Sequence, residues 1–586
     1  MKSWFAACFL LLPAVAFGAA TTFPELPPAS RNAGSETPDF FFRDLAGGAH
    51  WLSEFLRAGP LVVAMRDVDC PVSIKMTPKL ARFRRELEAR GVSFVFVNVV
   101  KHPRKALAAD AKALGGVYVD DAAAAEFQGR FSVASTAEVF LIGRDRRLVY
   151  RGPLDDQFGV TYARPRPTSQ PVADAVERLL RGESVEPRAV PAPGCLVAPV
   201  AAAAPAGGPT FYREISHILD RRCASCHFPG SNARMTFEDY EVTKSRANMI
   251  RYTIENALMP PWFADRDTGP WRNDPRLTDD EKRTIFAWID AKCPPGDPAD
   301  ATPPAWRHGS AGGWRVSPNM VLASRYVTKI PKEGEFPIQY LWLKPKLRGE
   351  GFWIRSIEVQ STRPRNLHHI SVYSSPRKFP HADQDFPEDR VNFLLASGPG
   401  QPLFFQADPG EAIYFPPDSY LLVGLHFTPN GTAGTNVAKV GLVVSREKPR
   451  SRFDARRVLN VDFTIPAGAP NFEVDSDLRV EEDTILKSIF PHMHLRGKAA
   501  VVELEEPGGQ RREIFRASKY NYFMQMNYVY REPIPLRAGS RLRCREFFDN
   551  SAGNPANPTP NEPAQGGLMT STEMATCYFS TSTPVK

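Results

Sequence analysis

Five of the eleven histidines fall in three short runs late in the chain: Leu367-His368-His369-Ile370, Leu425-His426-Phe427-Thr428-Pro429 and Pro491-His492-Met493-His494-Leu495-Arg496-Gly497. Imidazole nitrogen suits copper, zinc and iron, and an added thioether ligand points toward copper. In a strand, residues i and i+2 share a face, so His492 and His494 can grip one metal. Adjacent residues point to opposite faces, so His368 and His369 share a metal only at a bulge or a strand end. His426 would complete a three-nitrogen site with them.

Cys223-Ala224-Ser225-Cys226-His227 is a second constellation, the attachment signature of a c-type haem. Its thiols lie one helical turn apart to add to the two vinyl groups, and the adjacent imidazole reaches the iron from the same face. Zinc is the structural alternative, but it needs further cysteine or histidine, and the region offers only His217 and Cys293. The sixth iron ligand must come from Met235, Met249 or Met259. The preferred candidate is Met259, in Met259-Pro260-Pro261-Trp262, because small cytochromes c present their sulfur on a Met-Pro loop after a helix.

The third candidate is Cys70. Cys70-Pro71-Val72-Ser73 follows an apolar run and opens a helix, so the thiol sits over orphan N–H groups and the positive helix end, which favours thiolate. Ser73 stands where a Cys-x-x-Cys pattern has its second cysteine. With no resolving thiol alongside, Cys70 is either a redox thiol whose oxidation stops at sulfenic acid or a mixed disulfide, or an inert one.

These residues need several domains to position them. At 586 residues, about four domains are expected. A content of 43% hydrophobic and 24% charged residues excludes a mainly disordered chain. The 55 prolines, about twice the average usage, indicate loops, turns and β-structure joined by stiff linkers. A net charge of +8 without a basic cluster interleaved with aromatics gives no support for nucleic-acid binding.

Residues 1–20 carry Lys2, an apolar run from Trp4 to Phe17 and small residues at Gly18-Ala19-Ala20, the pattern of a cleaved signal peptide. The expected location is periplasmic or secreted, with no membrane span, since no later uncharged stretch is long enough to cross a bilayer. Of eight cysteines, seven remain after removal of Cys8. Cys544 and Cys577 lie close in the last stretch, Cys195 and Cys293 bracket the middle one, and Cys70 is left over.

Residues 191–208 read as a Pro/Ala/Gly linker, and a second break falls near 294–313. Region 35–190 alternates strands and helices, with a hairpin around Gly143-Arg144, giving an α/β sandwich. Pro78 should kink its helix over 72–90. Region 209–300 is helical over 210–225, 242–257 and 279–292, and the remainder reads as all-β.

Region 35–190 resembles the thioredoxin-like redoxins of the peroxiredoxin type, with two departures. One is Ser73. The other is Ala137, in a run where such folds usually place a cis-proline. A degenerate redoxin with a docking or structural role stands beside the active one.

The histidine runs, together with Glu573-Met574, resemble the copper type II, ascorbate-dependent monooxygenases, the family of the peptidylglycine- and dopamine-hydroxylating enzymes. That resemblance spans 314–586 and implies two consecutive β-sandwiches, 314–455 and 456–586, with a solvent-filled gap between. It implies an electron-storing copper on His368, His369 and His426, and an oxygen-reacting copper on His492, His494 and Met574. Met569 is the rival thioether but lacks the preceding glutamate. The resemblance also implies a Cys544–Cys577 bridge, although the family cysteine directly follows its methionine and here lies three residues on. The substrate-binding arginine of the peptide-amidating enzyme is replaced by Phe490, which disfavours a peptidylglycine substrate. Tyr578 keeps a family aromatic.

The expected whole is therefore a thioredoxin-like α/β sandwich, a small all-α cytochrome c at 209–300 and two all-β sandwiches. The expected cofactors are two copper ions and one covalent haem c, with ascorbate or another external reductant. The expected activity is hydroxylation of a C–H bond of a small molecule with O2, electrons coming through the haem or from an electron-donor protein. The alternative is a periplasmic electron-transfer or thiol-redox protein whose copper domains bind metal or partners without hydroxylase activity.

Overall fold

The computed structural model describes residues 32–585 except 123–124, 198–207, 229–232, 234, 238, 302–312, 347–348, 380–390 and 399–403. The signal segment and most of the Pro/Ala run lie outside the described residues.

The first domain is built on a six-stranded sheet in the order Val117–Asp120, Ser93–Asn98, Leu61–Arg66, Val139–Ile142, Leu148–Gly152 and Arg188–Ala189. Leu61–Arg66 is buried throughout and pairs parallel with Ser93–Asn98, as an apolar strand covered on both faces should. Its alternate residues feed two cores, Val62 and Ala64 on one side and Leu61, Val63 and Met65 on the other. The hairpin forms around Gly143, whose N–H donates to the Arg147 carbonyl. The helix Pro71–Glu88 starts with proline in its first turn, where the missing N–H costs nothing, and runs on through Pro78.

Residues 191–197 are not a free linker. They return across this domain: Ser135 and Leu196 form a bridge, the Val197 N–H donates to the Ala134 carbonyl, and Cys195 packs in the core. Composition misled there because a short apolar segment can be anchored by backbone pairing as well as by side chains.

The middle region is helical as read, with Phe211–Ile215, Ser216–Arg222, Tyr240–Ser245, Ala247–Glu255 and Asp279–Asp290. Thr278 and Glu281 close a capping box at the last helix. Its core gathers Phe211, Ile250, Ile285, Trp288 and Cys293. Cys195 and Cys293 therefore sit in separate cores and do not bridge.

The remaining chain is β-structure, but the two sandwiches are not separate bodies. A nine-stranded sheet runs through both; Glu411 and Ala412 pair in parallel with Ser451 and Arg452 to join its halves. One half shares a core with a four-stranded sheet that contains Leu367–Ser375 and Tyr420–Phe427. The other half packs with a four-stranded sheet that contains Gly497–Glu505 and Arg541–Phe548. The expected boundary at 455 falls inside the strand Ser451–Asn460, with Phe453 in the first core and Val458 in the second. The loop between the helices Ala247–Glu255 and Asp279–Asp290 docks on the second half through Ala264 and Trp271, and the Arg272 N–H donates to the Val529 carbonyl.

Candidate functional site

His368 and His369 start the strand Leu367–Ser375, and His426 lies near the end of its antiparallel neighbour Tyr420–Phe427. The register jumps from Leu367↔Phe427 to His369↔His426, which is a bulge at His368. The extra residue turns both adjacent imidazoles to one point, the condition set by strand geometry. His369 Nδ1 lies 3.2 Å from His368 Nδ1 and 3.3 Å from His426 Nδ1. Those spacings are the edges expected of imidazoles sharing one ion at about 2.0–2.1 Å, and the donor set fits copper or zinc. Among the described residues this is the one group of three histidine, cysteine or acidic side chains compact enough for an ion. Burial first, then the neighbouring imidazoles, holds His368 and His369 well below the ordinary histidine range, and His426 at about 4. All three are neutral at pH 7, as ligands must be.

His492 ends the strand Thr484–His492, and His494 lies in the turn that follows. His492 Nδ1–H donates to Gln525 Oε1 at 2.6 Å, and the Gln525 amide is fixed by donating to the Tyr522 carbonyl at 2.9 Å. His494 Nδ1–H donates to the Thr572 carbonyl at 2.9 Å. Both rings thus keep an Nε2 lone pair for a metal, held in one tautomer by outer partners. Burial pushes His492 down to about 4 and His494 to about 3.

Glu573 explains the pairing of Glu573-Met574 with the histidine turn. Its carboxylate accepts the His494 N–H at 3.0 Å and the Arg496 N–H at 2.8 Å, and it pairs with buried Arg496 at 3.3 Å. That clamp sets the turn and places Met574 on the wall of a cavity of about 340 Å³ shared with His369, His426, His492 and His494. Met569 also reaches the wall.

No gap separates the two histidine groups. The His369 and His492 rings are 5.7 Å apart, centroid to centroid, because the shared sheet draws the halves together. Phe490 and Tyr578 stack at 5.5 Å beside the cavity. Arg457, which the sequence did not single out, brings a cation to the same wall from the Ser451–Asn460 strand.

Cys544 and Cys577 are two buried thiols in contact rather than a closed bridge; Cys577 Sγ donates to Glu546.

At the Cys-x-x-Cys-His run, the Cys226 and His227 N–H groups donate to the Cys223 carbonyl at 3.1 and 2.9 Å, so the run curls into one turn after the helix Ser216–Arg222. Half-buried His227 donates through Nδ1 to the Met235 carbonyl at 2.7 Å, leaving Nε2 as a ligand atom. Burial lowers His227 and pushes Cys223 up to about 12. The donors fit a haem attached at both thiols with His227 on iron, whereas Cys223, Cys226 and His227 form no compact ion cage among the described residues. Met235 packs on the first domain's core, Met249 is buried, and Met259 is half-buried at the exit of the helix Ala247–Glu255.

Cys70 caps the helix Pro71–Glu88, and its carbonyl accepts the Ile74 N–H. The expectation that it lacks a second thiol is overturned: its sulfur is hydrogen-bonded to Cys195. Gly194 permits this approach, with φ of +150° and space in which a Cβ would lie 2.4 Å from Ser135 Oγ. Thr136 holds Cys195 at both ends of the residue, donating to its carbonyl and accepting its N–H at 3.1 Å. Burial pushes Cys70 up, but hydrogen bonds from Cys195, Thr136 and the Ser73 backbone outweigh it, so Cys70 falls below the ordinary thiol range while Cys195 rises. Beside them, buried Asp67 binds Arg246 of the middle region and His102 at 2.7 Å.

Comparison with known proteins bears on the first domain. A family model described as Redoxin matches residues 32–162. No curated protein matches the chain. Among solved structures, a hypothetical protein from Sinorhizobium meliloti 1021 is 28% identical, covering 29% of this chain and 96% of that one, with a TM-score of 0.26. An uncharacterized conserved protein from Geobacillus kaustophilus is 23% identical over 31% of this chain and 96% of its own, TM-score 0.27. The peroxidoxin BcpB from Mycobacterium tuberculosis is 19% identical over 26% and 97%, TM-score 0.19.

Proposed function

We propose that this chain, whose residues 32–162 are a thioredoxin-like redoxin domain, is an exported copper-dependent monooxygenase that hydroxylates a C–H bond of a small molecule with O2. The observation that carries the reading is the single cavity on which His369, His426, His492, His494 and Met574 converge, with His368 completing the first set. Copper at His368, His369 and His426 would store an electron, and copper at His492, His494 and Met574 would supply the oxygen chemistry.

The chain's own residues prepare that chemistry. Burial keeps the five imidazoles neutral, so no proton has to be displaced from them at pH 7. Gln525 and the Thr572 carbonyl fix the tautomers of His492 and His494, and Glu573 fixes the backbone that carries His494. Phe490 and Tyr578 set their rings beside His492, and Tyr522 sets its ring beside His494. Arg457 gives the cavity a positive wall, which suits a substrate with an anionic group. Cys223, Cys226 and His227, with Met259 as a further candidate ligand, would hold a haem, which would supply electron transfer.

A second reading, thiol-disulfide redox activity at Cys70, is supported by the Redoxin match and by the hydrogen-bonded Cys70–Cys195 pair. Oxygen consumption by the copper-loaded protein with ascorbate and a substrate panel separates the two. Under the monooxygenase reading, His492→Ala abolishes the substrate-dependent part; unchanged turnover would leave only the thiol reading.

A further inference from the structure

The first turn of the Cys70 helix lies against the histidine centre. Gly431, five residues after His426, has φ of +91°, and a Cβ there would sit 2.4 Å from the Ile74 carbonyl oxygen. The loop after His426 and the start of the helix therefore meet at a point only glycine fits. Asp69, next to Cys70, pairs at 3.6 Å with Arg365, which stands three residues before His368. Lys75 Nζ lies 5.7 Å from the Phe523 ring centre. Phe523 meets Tyr522 edge-on at 5.3 Å, and Tyr522 stacks on His368 at 4.6 Å. From Lys75, on the helix that Cys70 caps, these contacts lead ring by ring to the first imidazole.

We infer that Cys70 and Cys195 are a two-electron dithiol/disulfide couple that reduces the adjoining histidine-bound coppers. This rests on the copper reading above. Both sulfurs are buried, so a protein thiol has no direct approach to them, whereas the Tyr522–His368 stack is already in place. The stoichiometry also matches. Starting from one thiolate and one thiol, formation of the sulfur–sulfur bond releases two electrons and one proton. Two cupric ions, one at each histidine group, take one electron each, and the proton leaves to solvent. A dithiol thus delivers in one event the two electrons that one hydroxylation consumes.

The test uses the full-length protein with its thiols reduced, kept anaerobic, and given two equivalents of copper(II). Electron paramagnetic resonance follows the cupric signal, and mass mapping of acid-quenched, alkylated peptides locates disulfides. The expected result is loss of the cupric signal together with a Cys70–Cys195 disulfide, while Cys195→Ser and Cys70→Ser both retain the signal. A persistent signal with both thiols free overturns the couple, as does equal loss of signal in the two serine variants, which assigns the electrons to another donor. Disulfide formed equally well in His368→Ala shows oxidation by unbound copper and also overturns it. A parallel titration with oxidised glutathione, without metal, separates the two premises. A Cys70–Cys195 disulfide there, with no copper bound in the first experiment, places the failure in the copper reading. Bound copper, with no disulfide in either experiment, places it in the thiol pair.

Discussion

His369 and His492 face each other at 5.7 Å across one cavity, although they come from different halves of the β-structure. The shared nine-stranded sheet produces this closeness. It makes the two histidine groups neighbours, so a change on one wall is felt by both.

Gln525 accepts from His492 Nδ1, and its removal frees the wrong tautomer. Gln525→Leu should weaken copper at the His492, His494, Met574 group by roughly 10–100-fold and spare the other group. Competitive titration against a chromogenic chelator measures this; an equal loss at both groups would contradict the role.

The metal-free protein should lose stability as pH falls from about 6.5 toward 4. His426 and His492 sit at about 4 in the fold, against 6.5 when exposed on unfolding. Between those values the unfolded chain binds more protons, so stability rises with pH through the window and is complete above it. Urea midpoints across the pH series check this. Copper-loaded protein should show the same slope displaced to lower pH, because ligated nitrogen must lose its metal before it protonates.

Arg246 neutralises Asp67 beneath the contact between the first and middle regions. Arg246→Met leaves a buried carboxylate with His102 and the Asp69 N–H but no guanidinium, a cost of about 3–5 kcal/mol for breaking such a pair. The contact should open, and iodoacetamide should label Cys70 in the native protein at least tenfold faster than in the wild type. Unchanged labelling would mean that the region does not cover the thiols.

Arg457 predicts a preference for anionic substrates. Arg457→Leu should raise KM for a carboxylate-bearing substrate by roughly 10–100-fold, the loss of a charged hydrogen bond of ~1.5–3 kcal/mol, and leave neutral analogues unaffected. Steady-state oxygen consumption across paired substrates reads it.

What was legible in the sequence was what strand and helix geometry fix locally. The His-x-His spacing, the need for a bulge at His368-His369, the alternation of strands and helices in the first domain and the single turn of Cys223 to His227 all follow from short-range periodicity. Contacts made only by tertiary packing were not legible. Cys195 looked like part of a linker because nothing near it in sequence announces Thr136 or Cys70. Arg457 was hidden because an inward-facing residue on a strand next to Tyr578 is defined by register, not by a motif. The gap expected between the sandwiches vanished for the same reason: the pairing of Glu411 with Ser451 is a non-local event.

Copper stoichiometry at the two histidine groups tests the central claim most directly. Anaerobic loading followed by metal analysis should give two coppers per chain in the wild type and one in His492→Ala. In Met574→Leu, affinity should fall at one group and be unchanged at the other. Fewer than two coppers in the wild type, or loss of both in Met574→Leu, would contradict the assignment of separate ligand sets to His368, His369, His426 and to His492, His494, Met574.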